Sequence, residues 1–141
     1  MILYLDSSAL VKLYVREDRS ADVMHWRDAA EAVATSVVAY AEARAAFARL
    51  VREGHSKSTS HAKRLAKFNQ DWEDYLRVEL SPALTRQAGD LAEIYALRGF
   101  DAIHLASAFW LKELAAGSTH LAAFDQRLTE AAVRAGLDVL S

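Results

Sequence analysis

Four acidic side chains in this chain of 141 residues stand where a carboxylate can do more than solvate a surface. Asp6 directly follows an apolar run, Ile2 to Leu5, and Asp125 directly follows the His120 to Phe124 segment. Glu42 and Asp101 lie in alanine-rich or apolar stretches that read as helices. Each has a plain structural explanation. Asp6, Asp101 and Asp125 stand where helix N-caps are wanted, and Asp caps well. Glu42 is a good helix former, and Arg49 and Arg52 share its face, as on a solvated stripe. The chemical reading needs all four together. Carboxylates converging on one point repel unless a divalent cation joins them or some stay protonated. With oxygen donors, no cysteine and no histidine cluster, that cation is Mg2+ or Mn2+ rather than zinc. Such an ion activates water and stabilises charge on a phosphodiester. Spacing alone does not bring Glu42 and Asp101 to Asp6.

The elements that must position these acids are legible in outline. Ile2 to Leu5 is uninterrupted and apolar, as in a parallel strand buried on both faces. Asp6, Ser7 and Ser8 form a cap-like cluster before a helix over Ala9 to Val15, and a second helix spans about Ala21 to Ala30. Ala32 to Thr35 is a short strand, with Ser36 as N-cap of the next helix. There Tyr40, Ala43, Phe47, Leu50 and Val51 make one apolar face, and Gly54 is the stop. Leu65, Phe68, Trp72, Tyr75 and Leu76 repeat the spacing, and Arg77 to Leu80 alternates weakly like a strand. Ser81-Pro82 starts a helix striped with Leu84, Ala88, Leu91, Ala92 and Tyr95, which Gly99 is expected to end. Asp101 opens a helix apolar on most sides, closed by Gly117. His120 to Phe124 is a strand, Asp125 to Ala135 a helix and Leu137 to Leu140 a last strand. Strands separated by helices imply an α/β fold with a mostly parallel sheet covered on both faces. In such sheets, functional groups lie beyond the carboxyl ends of the strands.

Composition narrows the class. Hydrophobic residues make up 52% and charged residues 26%, which are globular values. The length suits one domain over residues 1–141. A net charge of -2 excludes coating nucleic acid by bulk charge, so an anionic partner needs a local patch. No cysteine means no disulfide, thiolate zinc site or thiol nucleophile. The chain shows no basic leader or long apolar stretch before Asp6, and the expectation is a cytoplasmic protein without a membrane segment.

Secondary candidates surround the acids. From Glu42 to Lys67 there are seven Lys or Arg against two acids, a basic arm suited to a phosphate backbone or a solvated hairpin. Lys12 is a single cation close to Asp6 in sequence. His104 lies three residues after Asp101, on the same side of its helix, to hold a carboxylate, touch substrate or fill the core. Trp26, Trp72 and Trp110 offer stacking surfaces, though Trp72 and Trp110 read as core.

Together these residues resemble the PIN-domain nucleases. Leu3-Tyr4-Leu5-Asp6-Ser7-Ser8-Ala9-Leu10-Val11-Lys12 resembles the family's opening element, a hydrophobic strand delivering an Asp with a hydroxyl residue two positions on. Thr35-Ser36 with Glu42 resembles the second element, and Phe100-Asp101-Ala102-Ile103-His104-Leu105-Ala106-Ser107-Ala108 the third. Ala123-Phe124-Asp125-Gln126-Arg127-Leu128 resembles the fourth. Many relatives carry Thr or Ser where this chain has Ala123, which leaves Asp125 less firmly oriented. The size and layout resemble VapC-type toxins of toxin–antitoxin pairs.

The resemblance implies a metal-dependent endoribonuclease cleaving single-stranded RNA, with Asp6 and Asp101 as principal ligands of Mg2+ or Mn2+. Glu42 and Asp125 complete the site, directly or through water, and Ser8 orients a carboxylate or the substrate. Cleavage by water leaves 5′-phosphate and 3′-hydroxyl ends without a covalent intermediate. The implied partners are RNA, a cognate VapB-type antitoxin and a second copy of the chain in a homodimer. Two rivals stand beside this reading. An aspartate-nucleophile phosphatase of the haloacid-dehalogenase type needs a second Asp where this chain has Ser8. A non-catalytic RNA- or protein-binding module would have kept the fold, but all four acids are present.

Overall fold

The structure, a computed structural model, describes residues 1–141. The chain runs β1 (Ile2–Leu5), α1 (Ser7–Lys12), α2 (Ser20–Ala29), β2 (Ala32–Ser36), α3 (Val38–Arg52) and α4 (Ser58–Trp72). It continues through β3 (Leu76–Val78), α5 (Pro82–Tyr95), α6 (Gly99–Leu114), β4 (Thr119–Ala122), α7 (Gln126–Arg134) and β5 (Asp138–Leu140). All four strand pairings are parallel, in the order β3-β2-β1-β4-β5. The expected mostly parallel sheet is thus wholly parallel, and each crossover is helical. No helix is long and apolar enough to cross a membrane.

The strand order fixes where a site can form. From β1 the chain crosses to β2 on one side, and β4 later returns to the other side of β1. The crevice beyond the carboxyl ends of β1 and β4 is therefore the topological switch point. Asp6 is the first residue after β1, and Asp125 follows β4 by three residues.

Side-chain alternation along β1 divides the core in two. Leu3 and Leu5 point to a layer built with α1, α3 and α4 around Phe47, Phe68 and Trp72. Tyr4 points to the opposite layer, built with α5, α6 and α7 around Leu84, Leu105, Leu121 and Leu128. A strand covered on both faces has no polar side to show, which explains its unbroken apolar sequence. In the first layer, Phe68 meets Tyr14, Tyr40 and Phe47 edge-on at centroid separations of 5.2 to 5.4 Å, a geometry that adds to simple burial. Helix α6 is buried on several sides at Ala102, His104, Leu105, Ala106, Ser107, Ala108 and Leu111, so its apolar sequence is that of the central helix.

Four local expectations need correction. Gly99 does not end a helix. Helix α5 stops at Tyr95 because Ala96 turns left-handed (φ 53°), and Gly99 is the first residue of α6. Asp101 does not cap α6 either. The N-cap is Arg98, in extended conformation, and Asp101 sits in the first turn. Trp110 is not core: it is 42% exposed, on the outer side of α6. Helix periodicity places Trp110 with Phe100 and Leu114, both also exposed. Ser36 ends β2 rather than capping α3 as the boundary residue, although its Oγ accepts the Val38 N–H at 3.3 Å. At the end of α7, Gly136 (φ 92°) takes the left-handed position, and the Leu137 N–H reaches back to the Ala132 carbonyl at 2.9 Å.

Truncating Phe68 to Ala is expected to cost about 3–5 kcal/mol, the usual loss for a buried Phe. Phe100→Ala should shift stability by no more than about 0.5 kcal/mol, as at exposed positions generally. Urea unfolding followed by circular dichroism checks both.

Candidate active site

Two of the four acids cap the helices that follow them through one carboxylate oxygen each. Asp6 caps α1: its Oδ1 accepts the Ala9 N–H and the Ser8 hydroxyl, both at 2.8 Å. Asp125 caps α7: its Oδ1 accepts the Leu128 N–H at 2.9 Å, while its Oδ2 faces Arg98. Capping and chemistry were rival explanations of these residues, and the geometry allows both. Helix N-termini favour the negative charge at each.

Asp6 is only 4% exposed. Burial pushes its carboxyl above the usual range, and neighbouring Asp101 pushes the same way. His104, the Ala9 N–H and the Ser8 hydroxyl oppose the rise without cancelling it. Ionising Asp6 therefore carries a cost that the fold offsets only in part.

Glu42 is not the solvated helix residue that its surroundings in sequence suggest. Its side chain is 31% exposed. The Ser7 hydroxyl donates to its Oε1 at 2.5 Å, and His104 Nε2 stands 3.3 Å from the same oxygen. Burial alone would raise its carboxyl, but the bonds from His104 and Ser7 prevail and hold it below the usual range. His104 is 2% exposed, with Nε2 at 3.0 Å from Ser7 Oγ and Nδ1 at 2.8 Å from the Tyr4 hydroxyl. Tyr4, His104, Ser7 and Glu42 thus form a hydrogen-bonded line running from the core to the pocket. Burial also drives the Tyr4 phenol upward, so it stays neutral beside the ring.

Asp101 and Asp125 meet through a base. Arg98 places Nε and Nη2 each 3.1 Å from Asp101 Oδ2, and Nη2 lies 3.5 Å from Asp125 Oδ2. Two cavities open here. One, about 540 Å3, is lined by Glu42, Arg98, Gly99, Phe100, Asp101 and Ile103. The other, about 560 Å3, is lined by Arg98, Asp101, Asp125, Gln126, Arg127 and Glu130. Arg98 and Asp101 belong to both walls.

The structure brings Asp6 within electrostatic reach of Asp101, and Asp101 and Asp125 onto one guanidinium. It does not gather the four acids into a single cluster, and no three His, Asp or Glu side chains are close enough to hold one ion. The donor chemistry still fits an oxygen-preferring divalent cation. Asp6 is a carboxylate whose pKa is raised first by burial and further by Asp101, with none of its hydrogen bonds on Oδ2.

The remaining candidates are placed less centrally. Lys12 pairs with Glu17 at 3.1 Å and lies 5.0 Å from the Phe124 ring centre. The basic arm is largely committed: Arg49 pairs with Glu53, Lys67 with Asp71, and Arg64 donates to the Tyr14 carbonyl. Trp26 stacks on Phe124, and Trp72 is buried. Sequence reasoning overlooked Arg98, Ser7 and Tyr4. Arg98 had a signal, since i and i+3 residues share a helix face and Arg98 precedes Asp101 by three. Ser7 had none beyond adjacency to Asp6.

A parallel sheet with acids at its switch point defines a class, and comparison places the chain in it. The PIN domain family model matches residues 3–134, and the chain belongs to that family. Within it the chain groups with the VapC ribonucleases. It is 40% identical over 144 residues to ribonuclease VapC49 of Mycobacterium tuberculosis, covering 98% of this chain and 94% of that one. It is 34% identical to ribonuclease VapC46 of the same organism, covering 99% and 96%. Two solved structures share the fold. FitAcB from Neisseria gonorrhoeae matches with a TM-score of 0.68 at 20% identity, covering 100% of this chain and 97% of that one. VapBC2 from Rickettsia felis, bound to a promoter DNA fragment, matches with a TM-score of 0.64 at 16% identity, covering 99% and 98%.

The raised carboxyl of Asp6 has a consequence for stability. Between its unfolded and folded pKa the native state binds more protons, so stability falls as pH rises through that window. Above the folded pKa the whole penalty is present. Asp6→Asn keeps an acceptor for the cap and removes the charge, so with EDTA present its Tm advantage over wild type should grow as pH rises. The gain should vanish at pH values below the ordinary carboxylate range, where wild-type Asp6 is neutral too. Thermal melts across pH check the sign.

Proposed function

We propose that this chain is a metal-dependent endoribonuclease of single-stranded RNA, acting as the toxin of a toxin–antitoxin pair, with residues 1–141 as one PIN-like unit. The observation that carries the reading is the buried carboxylate of Asp6 beside Asp101 at the switch point, in a chain 40% identical to VapC ribonucleases. Asp6 and Asp101 would hold Mg2+ or Mn2+, with Glu42 and Asp125 completing the site directly or through water. When bound, such an ion lowers the pKa of water and offsets charge on the phosphodiester.

The chain's own groups do the rest. Ser8 and the Ala9 N–H fix the Asp6 carboxylate. His104 and Ser7 aim Glu42 into its cavity and keep it ionised, so that it can take the proton of the attacking water. Attack at phosphorus leaves 5′-phosphate and 3′-hydroxyl ends, with no covalent enzyme intermediate. The phosphatase alternative is weaker, because Ser8, standing where its second Asp is required, is bonded to Asp6.

We also assign a cognate VapB-type antitoxin and a second copy of the chain as partners, with the cytoplasm as the working compartment. Support for protein partners comes from Ile94, Phe100, Trp110 and Leu114, large apolar side chains left exposed on α5 and α6.

The test is incubation of purified, antitoxin-free protein with single-stranded RNA, with Mn2+, with Mg2+ and with EDTA. Cutting is expected only with a divalent ion. Asp6→Asn and Asp101→Asn, prepared identically, should each lose at least about 100-fold. Cutting retained in EDTA, or shared by wild type and both variants, would overturn the assignment. Ser7→Ala frees Glu42 without removing it and should lower kcat by about tenfold, less than the ~100-fold or more that a positioned acid–base group contributes. Single-turnover rates check that loss.

A further inference from the structure

Arg98 is the cation that the walls of both cavities share, and its placement is unusual for a salt bridge. Its guanidinium is shared between Asp101 Oδ2 and Asp125 Oδ2. For Asp125 that is the outward oxygen, since Oδ1 is spent on the α7 cap. Yet the Arg98 side chain is 77% exposed. Exposed ion pairs are weak, so this contact is readily exchanged.

Its anchor, by contrast, is firm. Arg98 is the N-cap of α6, and its carbonyl accepts the Ala102 N–H at 2.9 Å. Arg127 donates to the Ala96 carbonyl at 3.2 Å and braces the turn that carries it. The backbone is fixed while the head group is loosely held on the wall between the two cavities. A planar guanidinium suits a phosphate as well as it suits a carboxylate.

We propose that Arg98 is the resident counter-ion of the acidic pocket: a divalent cation displaces its guanidinium from Asp101 and Asp125, and the freed head group then binds a phosphate of the RNA backbone. This rests on the nuclease reading above. Cation and guanidinium compete for the same carboxylate oxygens, so loading the pocket with metal and gripping substrate are coupled through one side chain. Arg98 is a positioning residue for substrate here, with no part in proton transfer.

The experiment has two arms, run on full-length wild type, Arg98→Ala and Arg98→Lys. Calorimetric titration with MnCl2 should give a dissociation constant about three- to tenfold lower for Arg98→Ala, as loss of two exposed ion pairs implies. Arg98→Lys, which keeps the charge, should fall between. Steady-state cleavage of a single-stranded RNA oligonucleotide at saturating Mn2+ should show KM raised about tenfold in Arg98→Ala, the scale of one charge-assisted phosphate contact, with kcat changed far less. Equal Mn2+ affinity in wild type and Arg98→Ala overturns the displacement. Tighter Mn2+ binding with an unchanged KM overturns the phosphate role. No Mn2+ binding by any of the three proteins, or no cleavage by wild type, overturns the nuclease reading itself and this inference with it.

Discussion

A carboxyl group almost out of water, Asp6 at the end of β1, sets the terms for everything around it. A charge in that position is tolerated only if hydrogen bonds and nearby positive potential offset its desolvation. The fold supplies the first through Ser8 and the Ala9 N–H, and the second through the start of α1 and His104. It then works against itself by setting Asp101 close by. Strain of this kind has no use in a purely structural cap. It is consistent with the cation role proposed for Asp6.

The economy of the arrangement lies in the double use of helix caps. Asp6 and Asp125 each give one oxygen to the backbone and keep the other off the helix, that of Asp125 facing Arg98. The bond to the helix holds each carboxylate at a set angle, and at Asp6 the Ser8 hydroxyl adds to it. Because β1 and β4 are adjacent and parallel, the caps that follow them fall on the same side of the sheet. Topology, rather than any local motif, makes neighbours of residues so far apart in the chain.

Glu42 is held by different means. Its helix α3 is amphipathic, with Ala43 and Phe47 in the core, and that packing alone would leave Glu42 near solvent. The line from Tyr4 through His104 and Ser7 brings the carboxylate partly under cover and keeps it charged. Tyr4 points to one layer of the core, and α3 packs in the other. The line therefore joins two layers that otherwise share only the sheet. Arg98 plays the matching part on the far side of Asp101, as a positive group on a fixed backbone with a mobile head.

Much of this was legible in the residues. An unbroken apolar strand ending in Asp, a Ser-Pro helix start and an all-round apolar helix led to a parallel α/β sheet with the right helices between its strands, since burial on two faces leaves a direct mark on composition. The positions of Asp6 and Asp125 followed, because strand ends and caps are local. Three things did not follow. The α5–α6 turn was misplaced, because Ala96 adopts a left-handed conformation that Gly99 advertised more strongly. Trp110 looked like core, because periodicity marks a helix face without saying whether anything covers it. The partners of Glu42 and Asp101 were out of reach, because Ser7, His104 and Arg98 become neighbours of those acids only through side-chain packing across elements. Local hydrogen bonding and hydrophobic period are written in the order of residues; which charges meet is decided by how the layers close.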